Sequence, residues 1–106
     1  MVDAANRQIG AERLSLSLDL VREPFESRAD GTLLGRLRTA ASDAMGVEPK
    51  VVGAPYWTDA AILAAAGSDC VIFGPLGYGL HTTEEWVDLA SVHQTAEILI
   101  DLVCTG

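Results

Sequence analysis

The chain has 106 residues, 49% of them hydrophobic and 21% charged, with 15 acidic against 7 basic side chains and a net charge of −8. That length suits one small domain or part of a larger one, and the composition excludes an intrinsically disordered chain. The charge excludes nucleic acid as a partner: phosphate neutralisation needs clustered basic side chains, whereas Lys50 is the sole lysine and the arginines are scattered.

Residues 1–11 carry no periodic signal. Leu14, Leu16, Leu18 and Leu20 then alternate with Arg13, Ser15, Ser17 and Asp19, which predicts a half-buried strand stopped at Pro24. Residues 22–28 read as a connector. A helix is expected over 32–45, with Leu33, Leu34, Leu37, Ala41 and Ala44 as its apolar stripe and Gly46 as a left-handed cap. Residues 50–52 suit a short strand, and 53–57 a turn-rich connector. Thr58 stands as an N-cap, Asp59 sits where a helix dipole favours negative charge, 60–66 are strong helix formers, and Gly67 ends that helix. The wholly apolar run 70–73 predicts a central strand covered on both faces.

Gly74, Gly77 and Gly79 make the following loop one whose backbone can approach another group closely. Ser91 and Gln94 read as a capping box, with Val92, Ala96, Leu99, Ile100 and Val103 as the buried stripe of a final helix. The alternation of strands and helices predicts an α/β sheet with helices packed on it.

The longest apolar run, 60–66, is far short of the roughly 20 residues that cross a bilayer, and residues 1–10 lack the apolar centre of a secretory signal. No membrane association is expected, and the expected setting is cytoplasmic and reducing. Cys70 and Cys104, outside any CxxC spacing, are then core side chains rather than a disulfide.

His81 is the candidate for chemistry. It follows the glycine loop at the C-terminal end of an expected central strand, where ligands of open α/β sheets bind, and a neutral imidazole can ligate a transition metal. The spacing alone equally fits a surface histidine without a partner. His93 is expected in solvent. Glu84 and Glu85 give His-x-x-Glu-Glu, but Trp86 stands where an inverted zinc motif needs a second histidine; paired carboxylates opening a helical turn are more often surface charges. The glycine loop lacks the Gly-Lys-Ser/Thr ending of a phosphate loop. Cys70, inside an apolar run, suits an inert thiol. Asp59 either faces a pocket or serves the helix end. One metal ligand is not a site, since zinc takes at least three from protein.

The run from Gly53 through Pro55, Tyr56, Trp57, Thr58 and Asp59 into 60–63 is followed by Gly67, Val71-Ile72-Phe73-Gly74-Pro75, Gly79-Leu80-His81 and Glu85-Trp86-Val87-Asp88-Leu89. In order and gaps these blocks resemble the C-terminal end of the family of acetylornithine deacetylase, succinyl-diaminopimelate desuccinylase, aminoacylase and glutamate carboxypeptidase, two-zinc amidohydrolases. The resemblance covers 51–103, and more weakly the chain from Leu14 onward. It implies a partial three-layer sheet with flanking helices, residues 26–106 forming the C-terminal part of a catalytic domain. Residues 1–25 would be the remnant of a lid domain, 14–20 its last strand and 22–25 the hinge.

Family members hydrolyse an amide next to an amino-acid carboxylate, with two zinc ions activating water and a glutamate as general base. By resemblance His81 is the last metal ligand, Asp59 borders the active site, and Gly74, Gly77 and Gly79 belong to the loop lining the substrate end. The family's other ligands and its general base lie upstream of this chain's start. Glu84-Glu85 is not the family's glutamate pair, and Ser68-Asp69-Cys70 replaces an apolar, proline-containing lead. The expected function is that of part of a zinc-dependent deacylase or peptidase, inactive alone, whose parent acts on N-acyl amino acids or peptides. The alternatives are a subunit completed by a second chain carrying the missing half, a homo-oligomer, or a non-catalytic α/β interaction module.

Overall fold

Leu33, Leu37, Ala40 and Ala41 recur at helical spacing, and they form the inner face of a helix that ends where glycine can turn left-handed. In the structure, a computed structural model describing residues 1–10 and 14–105, this helix spans Thr32–Met45 and closes at Gly46 with φ 70°. It is α2 of a series: α1 (Val2–Ile9), α2, α3 (Ala60–Ala65), β1 (Gly77–Tyr78), β2 (Trp86–Val87) and α4 (Leu89–Cys104). The chain is thus a small α/β unit, its described sheet consisting of β1 and β2 paired antiparallel, Gly77 opposite Val87 and Tyr78 opposite Trp86.

The core lies between α2 and α4. Leu37, Ala40 and Ala41 of α2 pack with Ile98 and Leu102 of α4, and Leu33, Val71 and Phe73 close the edge of this cluster. Ile98 is 2% exposed and Ala41 fully buried. Arg36 Nη2 reaches across to donate to the Leu102 carbonyl at 2.6 Å. The radius of gyration is 19.9 Å, against about 13 Å for a compact domain of 100 residues, so this core gathers only part of the chain.

Several expectations are corrected. Residues 2–9, read as aperiodic, form α1, which Gly10 terminates at φ 71°. The predicted strands 14–20, 50–52 and 70–73 carry no ladder. A strand is defined by its neighbour's hydrogen bonds, and none of these runs is paired in a ladder; the expected partial three-layer sheet is therefore not formed among the described residues. Leu14, Leu16, Leu18 and Leu20 are exposed rather than half-buried; Arg13, the first residue of the opposite face, lies outside the described residues. The run 70–73 still contributes to packing, through Val71 and Phe73.

The caps also move. Asp59, not Thr58, is the N-cap of α3. Asp88, not Ser91, caps α4, its carboxylate accepting from Ala90 N at 2.8 Å and Ser91 N at 3.3 Å. The stripe assigned to α4 is on the wrong face: Val92, Ala96, Leu99, Ile100 and Val103 are exposed, and Ser91, Ile98 and Leu102 are buried. His93, Glu97 and Asp101 make one side of the helix polar, but the side that meets α2, with Ser91, Ile98 and Leu102, lies away from that face and not at the apolar stripe of Val92, Ala96, Leu99, Ile100 and Val103. Cys70 is half-buried and Cys104 exposed, both as free thiols, which removes Cys104 from the core. No helix among the described residues is long and apolar enough to cross a membrane.

The connector after residue 20 is held in place. Trp57 Nε1 donates to the Glu23 carbonyl at 3.2 Å, and the Arg22 guanidinium lies 5.9 Å from the centre of the same ring, within the range of a cation–π contact.

Candidate functional site

Candidate residue His81 is carried on the turn between β1 and β2. The turn is tight for local reasons. Thr82 donates twice to the Gly79 carbonyl, from its amide at 2.9 Å and its hydroxyl at 2.6 Å. Glu84 N donates to the same hydroxyl at 3.3 Å. Gly79 has φ 72°, and a Cβ there would stand 2.8 Å from the Glu84 carbonyl oxygen. A Cβ on Gly77 would meet the Trp86 carbonyl at 2.8 Å. These two glycines answer the expectation of close backbone approach, and what they approach is the opposite arm of the hairpin. Gly74 does not: nothing lies within 4 Å of a Cβ there.

His81 itself has φ 63°, the only positive value at a non-glycine position among the described residues. Histidine tolerates this conformation better than most side chains, and a residue held there points to a functional constraint. Its backbone N–H faces the Glu85 carboxylate at 3.4 Å. Its imidazole is exposed and makes no hydrogen bond among the described residues. Glu84 is exposed as well. Tyr78 and Trp86 brace the stem, ring centres 6.4 Å apart.

The stem is fastened to the start of α4. Asp88 N donates to the Leu76 carbonyl at 2.9 Å. Leu76 N donates to Ser91 Oγ at 2.9 Å, and Ser91 Oγ donates to the Asp88 carbonyl at 2.7 Å. Ser91 is the one buried polar residue of the described chain. Sequence reasoning missed this pair as the anchor of the His81 turn, although an aspartate directly before a long helical run is itself an N-cap signal.

No hydrogen bond or ion pair among the described residues links the other candidates, Asp59 and His93, to His81. Asp59 is exposed, and its carboxylate makes no cap hydrogen bond and no ion pair among the described residues. His93 is exposed at the fifth position of α4. Among the described residues no three His, Cys, Asp or Glu side chains converge to hold a metal ion. A catalytic zinc needs three protein ligands, so the residues present do not hold one by themselves; His81 offers a single exposed donor.

The hairpin presents one histidine at positive φ, and the chain belongs to peptidase family M20/M25/M40, whose model matches residues 7–105. Enzymes of this family are generally metal-dependent. The chain is similar to succinyl-diaminopimelate desuccinylase of Hydrogenovibrio crunogenus, with 27% identity over 103 residues, covering 92% of this chain and 27% of that relative. It thus spans about a quarter of the relative's length. No solved structure matches it.

Proposed function

We propose that this chain is the C-terminal part of a zinc-dependent hydrolase that cleaves the amide bond of N-acyl amino acids or small peptides, and that it is inactive alone. The observation that carries this reading is His81, held at positive φ at the tip of an anchored hairpin in a chain matched by the family over nearly its whole length. His81 supplies one zinc ligand, and the remaining ligands and the general base come from outside the chain. The hairpin glycines shape the substrate end, and Asp59 borders it. Residues 26–106 belong to the catalytic domain, and residues 1–25 to its lid. The free thiols of Cys70 and Cys104 support a reducing, cytoplasmic setting.

The test is a chimera in which residues 26–105 replace the matching part of the desuccinylase relative. The folded chimera is expected to hydrolyse N-succinyl amino acids, and His81→Ala to abolish that activity. Equal activity in the His81→Ala chimera would contradict the assignment, as would zinc-dependent turnover by the 106-residue chain alone.

A second reading, a subunit completed by a separate chain, is supported by the outer face of α4. Leu89, Ile100 and Val103 are 72%, 62% and 79% exposed, and an apolar stripe of this kind suits a partner's sheet.

A further inference from the structure

Thr82 N donates to the Gly79 carbonyl at 2.9 Å, which closes a four-residue turn, Gly79-Leu80-His81-Thr82, at the tip of the hairpin. His81 is the third residue of that turn, at φ 63°, and Leu80 before it does not share the positive φ. That combination is the type II form: type I′ needs a positive φ at both central residues, and type I at neither. A type II turn normally takes glycine or asparagine at its third position, because other side chains tolerate a positive φ poorly. Histidine stands there in this chain, so a group outside the turn's own bond selects the form.

We propose that Glu85 is that group: a positioning residue that holds the turn in its type II form and thereby sets the direction in which His81 leaves the backbone. Tyr78 pairs with Trp86 in the last rung of the ladder, so Gly79 and Glu85 stand opposite each other one step beyond it, at the mouth of the loop. From there the Glu85 carboxylate accepts the His81 N–H at 3.4 Å. The turn's closing bond uses the Gly79 carbonyl and the Thr82 amide, which leaves the His81 N–H to an outside acceptor.

Type I and type II turns differ chiefly in the orientation of the peptide between their central residues. In the type II form the N–H of the Leu80–His81 peptide is turned to Glu85. Flipped into the type I form, that N–H would swing away, the Leu80 carbonyl would take its place toward the carboxylate, and His81 would move to a φ of about −90°. Attraction of the N–H and repulsion of the carbonyl both favour the observed form, and the charge on the acceptor strengthens the bond. The contact is long and both residues are exposed, so it chooses between two forms of one turn and does not support the fold. The consequence for hydrolysis rests on the reading of His81 given above. The turn form does not, and the test on the chain by itself separates the two.

The experiment is a proton NMR nuclear Overhauser measurement on the 106-residue chain at neutral pH. A type II turn brings the Leu80 α proton close to the His81 amide proton, and a type I turn brings the Leu80 amide proton there instead. The wild-type chain is expected to show the first contact strongly. In Glu85→Ala the ratio of the two should shift several-fold toward the second, and Glu85→Gln, which keeps an acceptor oxygen at the same reach, should retain the wild-type pattern. In a His81→Gly background, where glycine takes a positive φ unaided, adding Glu85→Ala should leave the type II pattern in place. That comparison separates selection of the turn form from general loosening of the hairpin, as does an unchanged near-ultraviolet signal from the Tyr78–Trp86 pair. A type I pattern in the wild-type chain, an unchanged pattern in Glu85→Ala, or loss of the type II pattern in Glu85→Ala whichever residue stands at position 81 would overturn the proposal.

Discussion

The Asp69 carboxylate accepts a hydrogen bond from the backbone N–H of Leu33 at 3.1 Å, across 36 residues of sequence. It thereby serves the start of α2, whose own N-cap, Gly31, has no side chain to offer. The two positions are matched: a Cβ on Gly31 would stand 2.7 Å from an Asp69 carboxylate oxygen. Removing a capping side chain costs about 1 kcal/mol, so Asp69→Ala is expected to lower the thermal midpoint by several degrees, and Asp69→Asn by less. An unchanged midpoint in Asp69→Ala would show that α2 does not depend on this cap.

Ile98→Ala tests the core. Truncating a buried isoleucine costs about 2–5 kcal/mol, a large share of the stability of any small domain. Ile98 is the largest fully buried side chain of the described residues. Urea denaturation followed by circular dichroism is expected to show loss of cooperative unfolding, whereas Val103→Ala, on the exposed face of α4, should leave the transition in place.

The glycines of the hairpin are not equivalent. Gly79→Ala places a Cβ at positive φ and against the Glu84 carbonyl, a strain of about 1–3 kcal/mol. Near-ultraviolet circular dichroism of the Tyr78–Trp86 pair should lose intensity in this variant. Gly74→Ala meets open space and should leave the spectrum unchanged.

The Asp30 carboxyl is held below the usual aspartate range, first by the hydrogen bond from Arg28 and then by its positive charge. A carboxylate with a depressed folded pKa contributes stability at pH values above the ordinary aspartate range and loses it as pH falls through the folded value. The pair is exposed, so its effect on global stability is small and screened by salt. Carbon-13 NMR titration is therefore the better probe. The Asp30 midpoint is expected to rise in Arg28→Ala; identical midpoints would remove the interaction.

What was legible in the sequence was what is locally determined. Helix α2 and its Gly46 cap follow from spacing and one glycine, and both stand at the expected residues. The existence of α4 was equally plain, but not the face it buries: two sides of the helix flanking its polar face are apolar, and the one that packs carries Ser91, Ile98 and Leu102 while Leu89, Val92, Leu99, Ile100 and Val103 are exposed. The strands were illegible for a different reason. Alternation at 14–20 reports a chain able to pair, and pairing depends on a neighbour that local pattern does not specify. Of the site, His81 was legible as a position. Its strain and its anchor through Leu76, Asp88 and Ser91 depend on hydrogen bonds between segments, which spacing does not encode.

Zinc titration of the purified chain by calorimetry, with His81→Ala in parallel, tests the proposed role of His81 most directly. If the chain carries one ligand of a site completed from outside it, neither protein binds zinc at micromolar concentration. Submicromolar binding by the wild-type chain, lost in His81→Ala, would contradict this, because it would require the chain to gather a complete ligand set by itself.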